Sequence, residues 1–405
     1  MIHKSISLEG SEQSYMKKVI DVHTEEFGSQ PEIVVRAPGL FHLMGEYSWF
    51  FGDKTLSMAI DLPVYVSISP RTDNILRFYF YQSKERKKIP LSITKHRKED
   101  KLANIVKGII FGYNAEGYAF SGMDVTFYSE ILPSVDMGIL SALKVATAFA
   151  IKKLFKIRGN DNLILKVIKN CEVGYFSTDF YVSDINTILF SKKSSCVLTD
   201  NGDSSFEILP FKFDSTSIIL TDTKVPLAAL WSENILYSDM NRNLLSSLKI
   251  SRNNKQIYED SVSEINEVLS DTSETVRKKL ICMMKENQLL LDSVEALRNN
   301  SLSNFAKFVN KSHELMRDSL LVSCPEIDWL VKRVQEFDKN SLPNLTSCSR
   351  ITGRNFARYT YSIIKDEFVD LYMEKLQDYE RIFGFHPTTY IVKPSEGVCL
   401  SKENG

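Results

Sequence analysis

The pattern of residue types changes along the chain, from short segments rich in β-branched and aromatic residues in the first half to long amphipathic segments in the second half. Segments of the first kind are typical of strands. They are found at Glu32–Arg36, Val64–Ser69 and Ile75–Tyr81. The first half is therefore predicted to consist mostly of strands and loops, with one helix over Leu140–Leu154 where apolar residues recur at helical spacing.

Helical spacing dominates after about residue 240. Between Asp271 and Leu297 apolar residues recur every three or four positions, and Asp271 followed by Glu274 fits an N-terminal cap. A second amphipathic helix is predicted over Asp366–Arg381, and a strand over Thr388–Val392 is predicted to close the chain.

Composition and charge narrow the class of protein. With 43% hydrophobic and 25% charged residues, the chain has the profile of a globular protein and not of a disordered, collagenous or coiled-coil one. Its 50 basic and 51 acidic residues give a net charge of −1, which argues against binding nucleic acid or an anionic membrane. A small-molecule partner is therefore expected.

The termini and cysteines point to the cytoplasm. No signal-peptide core is present, and no stretch approaches the ~18 apolar residues of a membrane span. The cysteines are scattered without Cys-x-x-Cys spacing, so they are predicted to be buried free thiols and neither disulfides nor zinc ligands. The basic runs Lys84–Lys88 and Lys95–Lys98 are expected to be solvated loops.

The length of 405 residues suffices for two or three domains. A polar turn at Asp200–Ser205 coincides with the change in texture and places a boundary near residue 210. Two lobes are therefore predicted, over residues 1–210 and 211–405.

One segment carries a specific pattern: from Arg36 it reads Arg-Ala-Pro-Gly-Leu-Phe-His-Leu-Met-Gly-Glu-Tyr-Ser-Trp. It resembles the galactokinase signature, roughly Ala-Pro-Gly-Arg-Val-Asn-Leu-Ile-Gly-Glu-His-Thr-Asp-Tyr. Further segments that resemble galactokinases follow in order at Ser312–Asp318, Val322–Asp328, Ser349–Gly353 and Gly384–Gly397. Over about residues 31–398 the chain is identified as a member of the galactokinase branch of the GHMP kinases.

This resemblance implies an α+β, two-lobed GHMP-kinase fold with the ligand cleft between the lobes. It implies phosphoryl transfer from ATP to the C1 hydroxyl of galactose, with Mg-ATP as cofactor if the chain is active and none otherwise. The implied partners are a sugar and a nucleotide, together with a protein partner if the chain is regulatory.

Two carboxylates match family positions. Glu46 stands where the family has a sugar-contacting carboxylate, which accepts strong hydrogen bonds from hydroxyls. Asp184 falls on the catalytic aspartate, where it would act as general base or as a fixed charge that orients the sugar hydroxyl. A structural role for Asp184 as the cap of a helix beginning near Ile185 is compatible with either function.

Other family positions have changed. Leu40 replaces the arginine that lies beside the catalytic aspartate and the transferring phosphate, and Tyr47 and Trp49 replace the family's His and Asp. Trp49 either stacks on a sugar face or packs between lobes. Because an arginine at the transition state contributes about three to five orders of magnitude in related phosphoryl transfers, the loss at position 40 predicts severely reduced turnover.

The phosphate-binding motif, Pro-x-Gly-x-Gly-Leu-Ser-Ser-Ser-Ala in the family, is altered in the segment that starts at Pro133. Val135 replaces a glycine, and Asp136 adds negative charge where phosphates would bind. Gly138 and Ser141 remain candidates for nucleotide binding, and Ser141 is also the candidate hydroxyl on the magnesium side. Ser141 has the alternative of being an ordinary helix serine.

The third motif, Gly-x-Gly-Phe-Gly-Gly in the family, keeps only its first glycine, Gly353, and its phenylalanine. Gly353 is a further nucleotide-binding candidate. Arg354 and Arg358 either supply donors to phosphate or plug the old site by pairing with Asp136 or Asp184; the second role is favoured.

Two functions follow from this pattern. The favoured hypothesis is a catalytically impaired or inactive homologue that binds sugar or nucleotide, because the damage is concentrated in the three signature motifs. The alternative is an active ATP-dependent sugar 1-kinase, for galactose or a related sugar, with rebuilt phosphate loops.

Overall fold

The structure, a computed structural model, describes residues 12–47, 53–93, 95–129, 137–226, 274–338, 345–354 and 358–403. The helices in these ranges are α1 (Glu12–Phe27), α2 (Ala103–Ala115), α3 (Ile139–Leu154), α4 (Asn162–Lys169), α5 (Val182–Phe190), α6 (Glu274–Arg298), α7 (Leu302–Leu315), α8 (Pro325–Gln335) and α9 (Val369–Phe383). The strands are β1 (Ile33–Met44), β2 (Lys54–Pro70), β3 (Ile75–Phe80), β4 (Glu85–Pro90), β5 (Met123–Ser129), β6 (Ser195–Asp200), β7 (Phe206–Pro210), β8 (Thr216–Asp222), β9 (Cys348–Thr352), β10 (Tyr359–Lys365), β11 (Thr388–Val392) and β12 (Cys399–Glu403).

The first sheet has the strand order β12-β1-β2-β5-β3-β4, and β6 pairs with both β2 and β7. The pairings β1 with β12, β2 with β5 and β3 with β4 are antiparallel, and the pairing β3 with β5 is parallel. Every residue of β1 is buried, including Arg36 and His42 within its mostly apolar sequence. Helix α1 contributes Val19 to a core cluster with Val34, Tyr65 and Tyr128 of this sheet.

The second sheet is antiparallel, in the order β11-β8-β10-β9. Apolar residues of α8 and α9 cover it, because Leu330 and Val334 share one helix face and Tyr372 and Leu376 share another. These side chains form a core cluster around Ile219.

The chain divides into two compact units that alternate along the sequence. The first unit comprises Leu8–Phe41, Met58–Val197 and Pro394–Gly405, and the second comprises mainly His42–Ser57 and Leu198–Lys393. The predicted lobe boundary at residue 210 stays a proposal.

Most of the predicted elements are present, but two details differ. The second amphipathic helix starts at Val369, after a 3₁₀ turn over Asp366–Phe368. The strand over Thr388–Val392 does not close the chain, because β12 follows and pairs with β1. The Asp271 cap lies outside the described residues.

The first half is also more helical than its strand-like texture predicted. It contains α1, α2, α4 and α5 besides the predicted helix. Ten of the thirteen residues of α2 are buried, so this helix lacks the polar stripe that reveals helical spacing in a sequence.

The basic runs are only partly loops. Residues Glu85–Lys88 belong to β4, an edge strand, where charged side chains discourage pairing with another sheet. The predicted burial of the cysteines is confirmed for Cys171, Cys196, Cys282 and Cys348, whereas Cys324 and Cys399 are only partly buried. Among the described helices, none has the length and hydropathy needed to span a membrane.

Candidate functional site

The N-terminus of α3 holds Gly138 and Leu40 in close contact within the first unit. Gly138 precedes the helix in a left-handed conformation, with φ +65°. A Cβ atom at this position would lie 2.5 Å from Cγ of Leu40, so only glycine fits beside that side chain. The Leu40 amide donates to the Met137 carbonyl at 2.9 Å, and its side chain is buried. An aliphatic group therefore covers the start of this helix.

The same helix brings Ser141 to Asp184. The Ser141 hydroxyl donates to Oδ2 of Asp184 at 3.3 Å, and Ser183 donates to Oδ1 at 3.4 Å. Helix α5 begins at Val182, so Asp184 lies inside its first turn and the prediction that Asp184 caps this helix is wrong. A carboxylate in the first turn is favoured by the helix dipole. Asp184 is almost fully buried.

Glu46 follows β1 and is held by Arg350 of β9 in the second unit. Nη1 of Arg350 donates to Oε1 of Glu46 at 2.6 Å, and Nη2 donates to Oε2 at 3.1 Å. Both side chains have 0% exposure. This is a two-pronged ion pair with no solvent access, a geometry in which an arginine binds a carboxylate strongly.

Two more buried groups complete this cluster. Nη2 of Arg350 also reaches Oε1 of Glu286 at 2.9 Å, and its Nε donates to the Ser312 hydroxyl at 2.6 Å. Ser312 in turn donates to Glu286. We call Glu46, Glu286, Ser312 and Arg350 the Arg350 cluster. It joins the loop after β1 to α6, α7 and β9.

The charges of the Arg350 cluster are coupled. Burial alone would lower the pKa of Arg350, but Glu46 and Glu286 hold that pKa above its ordinary value. Burial raises the pKa of Glu286, against the opposing effect of Arg350. Two carboxylates around one guanidinium leave an excess of one negative charge when both are ionised, so the cation is indispensable to the cluster.

Gly353 comes directly after β9, with φ +91°, a conformation that favours glycine. The end of β9 is tied to β1, because the Thr352 hydroxyl donates to the His42 carbonyl at 2.7 Å. The structure thus places Gly353 and Glu46 in the second unit, and Gly138, Ser141 and Asp184 in the first.

The favoured role for Arg358 is not supported. Its guanidinium forms a two-pronged ion pair with Asp222, at 2.9 and 3.1 Å, and not with Asp184. Burial would raise the pKa of Asp222, but hydrogen bonds from Arg358 and Lys224 hold it below its usual value. The suggested partner Asp136 lies outside the described residues, as do Val135 and Trp49.

Sequence reasoning missed Arg350, Glu286 and Ser312 as partners of Glu46. A signal existed for Arg350, because it belongs to the segment Ser349–Gly353 that carried part of the resemblance. Only the glycine of that segment was assigned a role. The assignments of Asp184, Glu46, Gly138, Ser141 and Gly353 to ligand binding stay predictions.

Comparison with known sequences gives consistent matches. A model of the galactokinase galactose-binding signature matches residues 21–70. A protein of Treponema pallidum (strain Nichols) described as "Putative galactokinase" is 36% identical over 386 residues, which cover 94% of this chain and 96% of that protein. A galactokinase of Clostridium acetobutylicum is 27% identical, covering 90% of this chain and 94% of its own length.

Solved structures agree at the level of the fold. Lactococcus lactis galactokinase complexed with galactose superposes with a TM-score of 0.84 at 19% identity, covering 95% of this chain and 99% of that one. Methanococcus jannaschii mevalonate kinase superposes with a TM-score of 0.62 at 14% identity, covering 91% and 100%. The predicted α+β GHMP-kinase fold is confirmed. Given this fold and 36% identity to the Treponema pallidum protein over nearly the full length of both chains, the protein belongs to the galactokinase family.

Proposed function

We propose that this chain is a galactokinase-family protein that binds a sugar and a nucleotide but transfers the phosphoryl group poorly. The observation that carries the proposal is the buried contact of Leu40 with Gly138 at the start of α3. In phosphoryl transfer, most of the rate comes from positioning and from positive charge around the transferred group. Leucine contributes no charge, and its packing leaves an aliphatic surface where the resemblance places an arginine.

Ligand binding is supported by the family positions that the chain retains. Asp184 is buried, ordered by Ser141 and placed in a first helical turn. As general base it would take the proton of the sugar hydroxyl, and as a fixed charge it would orient that hydroxyl. Gly138 and Gly353 both have positive φ at turns, which lets backbone amides approach a phosphate closely. We assign these two glycines to the nucleotide and Asp184 to the sugar.

Glu46, the candidate for sugar binding, is engaged within the protein. Its two oxygens are both occupied by Arg350, and the side chain is fully buried. Its main role is therefore to anchor the segment that follows β1. Galactose remains the first sugar to test, because the superposed Lactococcus lactis enzyme is complexed with it.

Magnesium fits the described residues poorly. GHMP kinases in general use ATP with magnesium. Magnesium is usually held by one or two carboxylates together with substrate phosphates and waters. Within the described ranges no group of three or more His, Cys, Asp or Glu residues could hold a metal ion, so a magnesium ion here would depend on the phosphates of the nucleotide. Ser141, the candidate hydroxyl, donates its hydrogen bond to Asp184.

The alternative function is an active ATP-dependent sugar 1-kinase. The contact between Ser141 and Asp184 favours it, because an ordered, buried carboxylate is what a general base requires. It needs a positive charge from elsewhere to replace the one absent at Leu40.

One pair of measurements separates these functions. Calorimetric titration with MgATP, with and without saturating galactose, measures binding, and a coupled assay measures turnover beside the Clostridium acetobutylicum galactokinase. We expect binding near the micromolar level, about −8 kcal/mol, with turnover at least about 10³-fold below that of the reference enzyme. Comparable turnover that disappears in Asp184→Asn would establish the alternative. Absence of heat at two temperatures would refute nucleotide binding.

A pair of matched substitutions at position 40 tests the role of the contact between Leu40 and Gly138. Leu40→Arg alone is expected to leave turnover low, because the longer side chain must fit where Leu40 packs against Gly138, and the altered phosphate motif stays in place. Leu40→Met serves as the control for packing, since it conserves volume. A large gain of turnover in Leu40→Arg, absent in Leu40→Met, would show that the missing charge is the whole defect.

A further inference from the structure

A lysine lies one turn along α3 from Ser141. Lys144 follows Ser141 by three residues, so both side chains emerge on the same helix face. Its ammonium contacts Oε1 of Glu172 at 2.5 Å and lies 5.0 Å from the centroid of the Phe176 ring. The side chains of Lys144 and Glu172 are only 14% and 11% exposed. Both belong to the first unit.

The second oxygen of Glu172 is also occupied. The Thr178 hydroxyl donates to Oε2 at 2.7 Å, and the Thr178 amide donates to the Glu172 carbonyl at 2.9 Å. Glu172 lies in the π-helical turn Asn170–Phe176 that follows α4. Each carboxylate oxygen thus has a protein donor, and the ammonium balances the charge. A buried carboxylate without such a cation would draw in a proton or a metal ion.

We propose that Lys144 is a resident cation that takes the place of a divalent metal ion beside Ser141 and Asp184. The two carboxylates that flank this part of α3 are Asp184, bonded to Ser141, and Glu172, bonded to Lys144. With Glu172 committed to the ammonium, Asp184 is the one of these two carboxylates left for a divalent cation, and the ammonium already supplies a positive charge on this face. A phosphate-bearing ligand of this site is then bound without magnesium.

Magnesium then fits poorly because a residue of the chain already occupies its place. The positive charge at this site is supplied by a side chain, which is fixed in place and needs no metal. The expectation that a nucleotide is bound without magnesium rests on the proposed function. The central claim, that Lys144 keeps a divalent cation away from Glu172, is tested with metal alone.

The test uses Mn²⁺ binding to the full-length protein, measured by electron paramagnetic resonance of the free ion and by calorimetry. The wild-type chain is expected to show no Mn²⁺ site in the micromolar range. Lys144→Gln is expected to gain one, at least about tenfold tighter than any wild-type binding, and adding Glu172→Gln to that variant is expected to remove it.

Lys153→Gln is the matched control, because Lys153 lies on the same helix and its ammonium is 5.4 Å from the centroid of the Phe149 ring. It is expected to behave as the wild type does. Lys144→Met provides a second neutral side chain in case Lys144→Gln does not fold. A wild-type Mn²⁺ site that Glu172→Gln abolishes would overturn the proposal. So would folded Lys144 variants that gain no Mn²⁺ binding.

The nucleotide consequence has its own readout. ATP affinity of the wild-type chain is expected to change less than about threefold when magnesium is replaced by a chelator, whereas Lys144→Gln requires the metal. A strong dependence on magnesium in the wild type would overturn the inference. Absence of ATP binding to any variant would refute the proposed nucleotide binding, while the Mn²⁺ measurements would still decide the role of Lys144.

Discussion

Within the part of the chain that the structure describes, Arg350 is the cation that pairs with the buried carboxylates of Glu46 and Glu286. Removing one partner of a buried ion pair leaves an uncompensated charge that costs about 3–5 kcal/mol. We therefore expect Arg350→Met to lower the free energy of unfolding by about that amount, measured by urea denaturation. The matched control is Arg298→Met, which breaks an exposed pair with Glu207 and is expected to cost less than about 1 kcal/mol. Equal effects of the two substitutions would contradict the role of the cluster.

His313, next to Ser312 of the Arg350 cluster, makes stability depend on pH. Burial lowers the pKa of its imidazole below 6.5, although the contact with Asp328 acts in the opposite direction and Arg350 and Arg317 add to the lowering. The unfolded chain then binds a proton that the folded chain does not. Stability from neutral His313 is present above about pH 6.5 and is lost as the pH falls toward the folded pKa, by up to about 1.4 kcal/mol per pH unit.

Urea denaturation between about pH 7.5 and about 5.5 measures this dependence. His313→Gln is expected to lose less stability on acidification than the wild-type chain. His386→Gln is the control, because the His386 side chain is 81% exposed. A His313→Gln slope equal to that of the wild type would assign the acid sensitivity to other groups.

Single residues could be assigned from the sequence only where their type and position match a motif. Glu46 was recognised in this way, but its partner Arg350 is 304 positions away and only the folded chain brings them together. The predicted pairing of Arg358 with Asp184 was wrong for a related reason. A cation pairs with whichever carboxylate the fold puts beside it, and here that carboxylate is Asp222.

At the scale of elements, the start of α3 depends on a fit between two segments. Gly138 has a positive φ, and Leu40 of β1 lies against its Cα. Gly138→Ala is expected to destabilise the chain by about 1–3 kcal/mol through backbone strain and this clash. The strain remains in Gly138→Ala/Leu40→Ala, but the clash does not, so the cost of Gly138→Ala should be smaller when measured in a Leu40→Ala background. Identical costs in both backgrounds would show that the contact carries no energy.

Helices and strands could be predicted where the spacing of apolar residues within the element itself reveals them. The strands β2 and β3 and the helix α3 were anticipated because their side chains follow the period of the element. Helix α2 was missed because it is buried on nearly all sides. Strand β12 was missed because its short sequence, Cys-Leu-Ser-Lys-Glu, becomes a strand through pairing with β1.

Each of the two units is built from segments that are separated along the chain, because the chain passes from one unit to the other and back. Residues 42–57 belong with residues 198–393, although 140 residues of the other unit separate them along the chain (58–197). The residue pattern of the sequence changes where the chain enters the long segment of residues 198–393. A polar turn near residue 205 marks one of the crossings, and nothing of this kind marks the crossings within β1 and β2.

This organisation predicts how fragments behave. Residues 198–393 alone lack Glu46, so Arg350 and Glu286 would be buried with one carboxylate missing, and β9 would lose its hydrogen bond to the His42 carbonyl. That fragment is expected to show no cooperative thermal transition by circular dichroism. A matched fragment joins residues 42–57 to residues 198–393 through a flexible linker and is expected to recover a cooperative transition. Glu46→Gln in the joined fragment should lower its midpoint, because it removes the charge that Arg350 pairs with. A cooperative transition of residues 198–393 alone, at the same midpoint as the joined fragment, would mean that the second unit does not need the segment after β1.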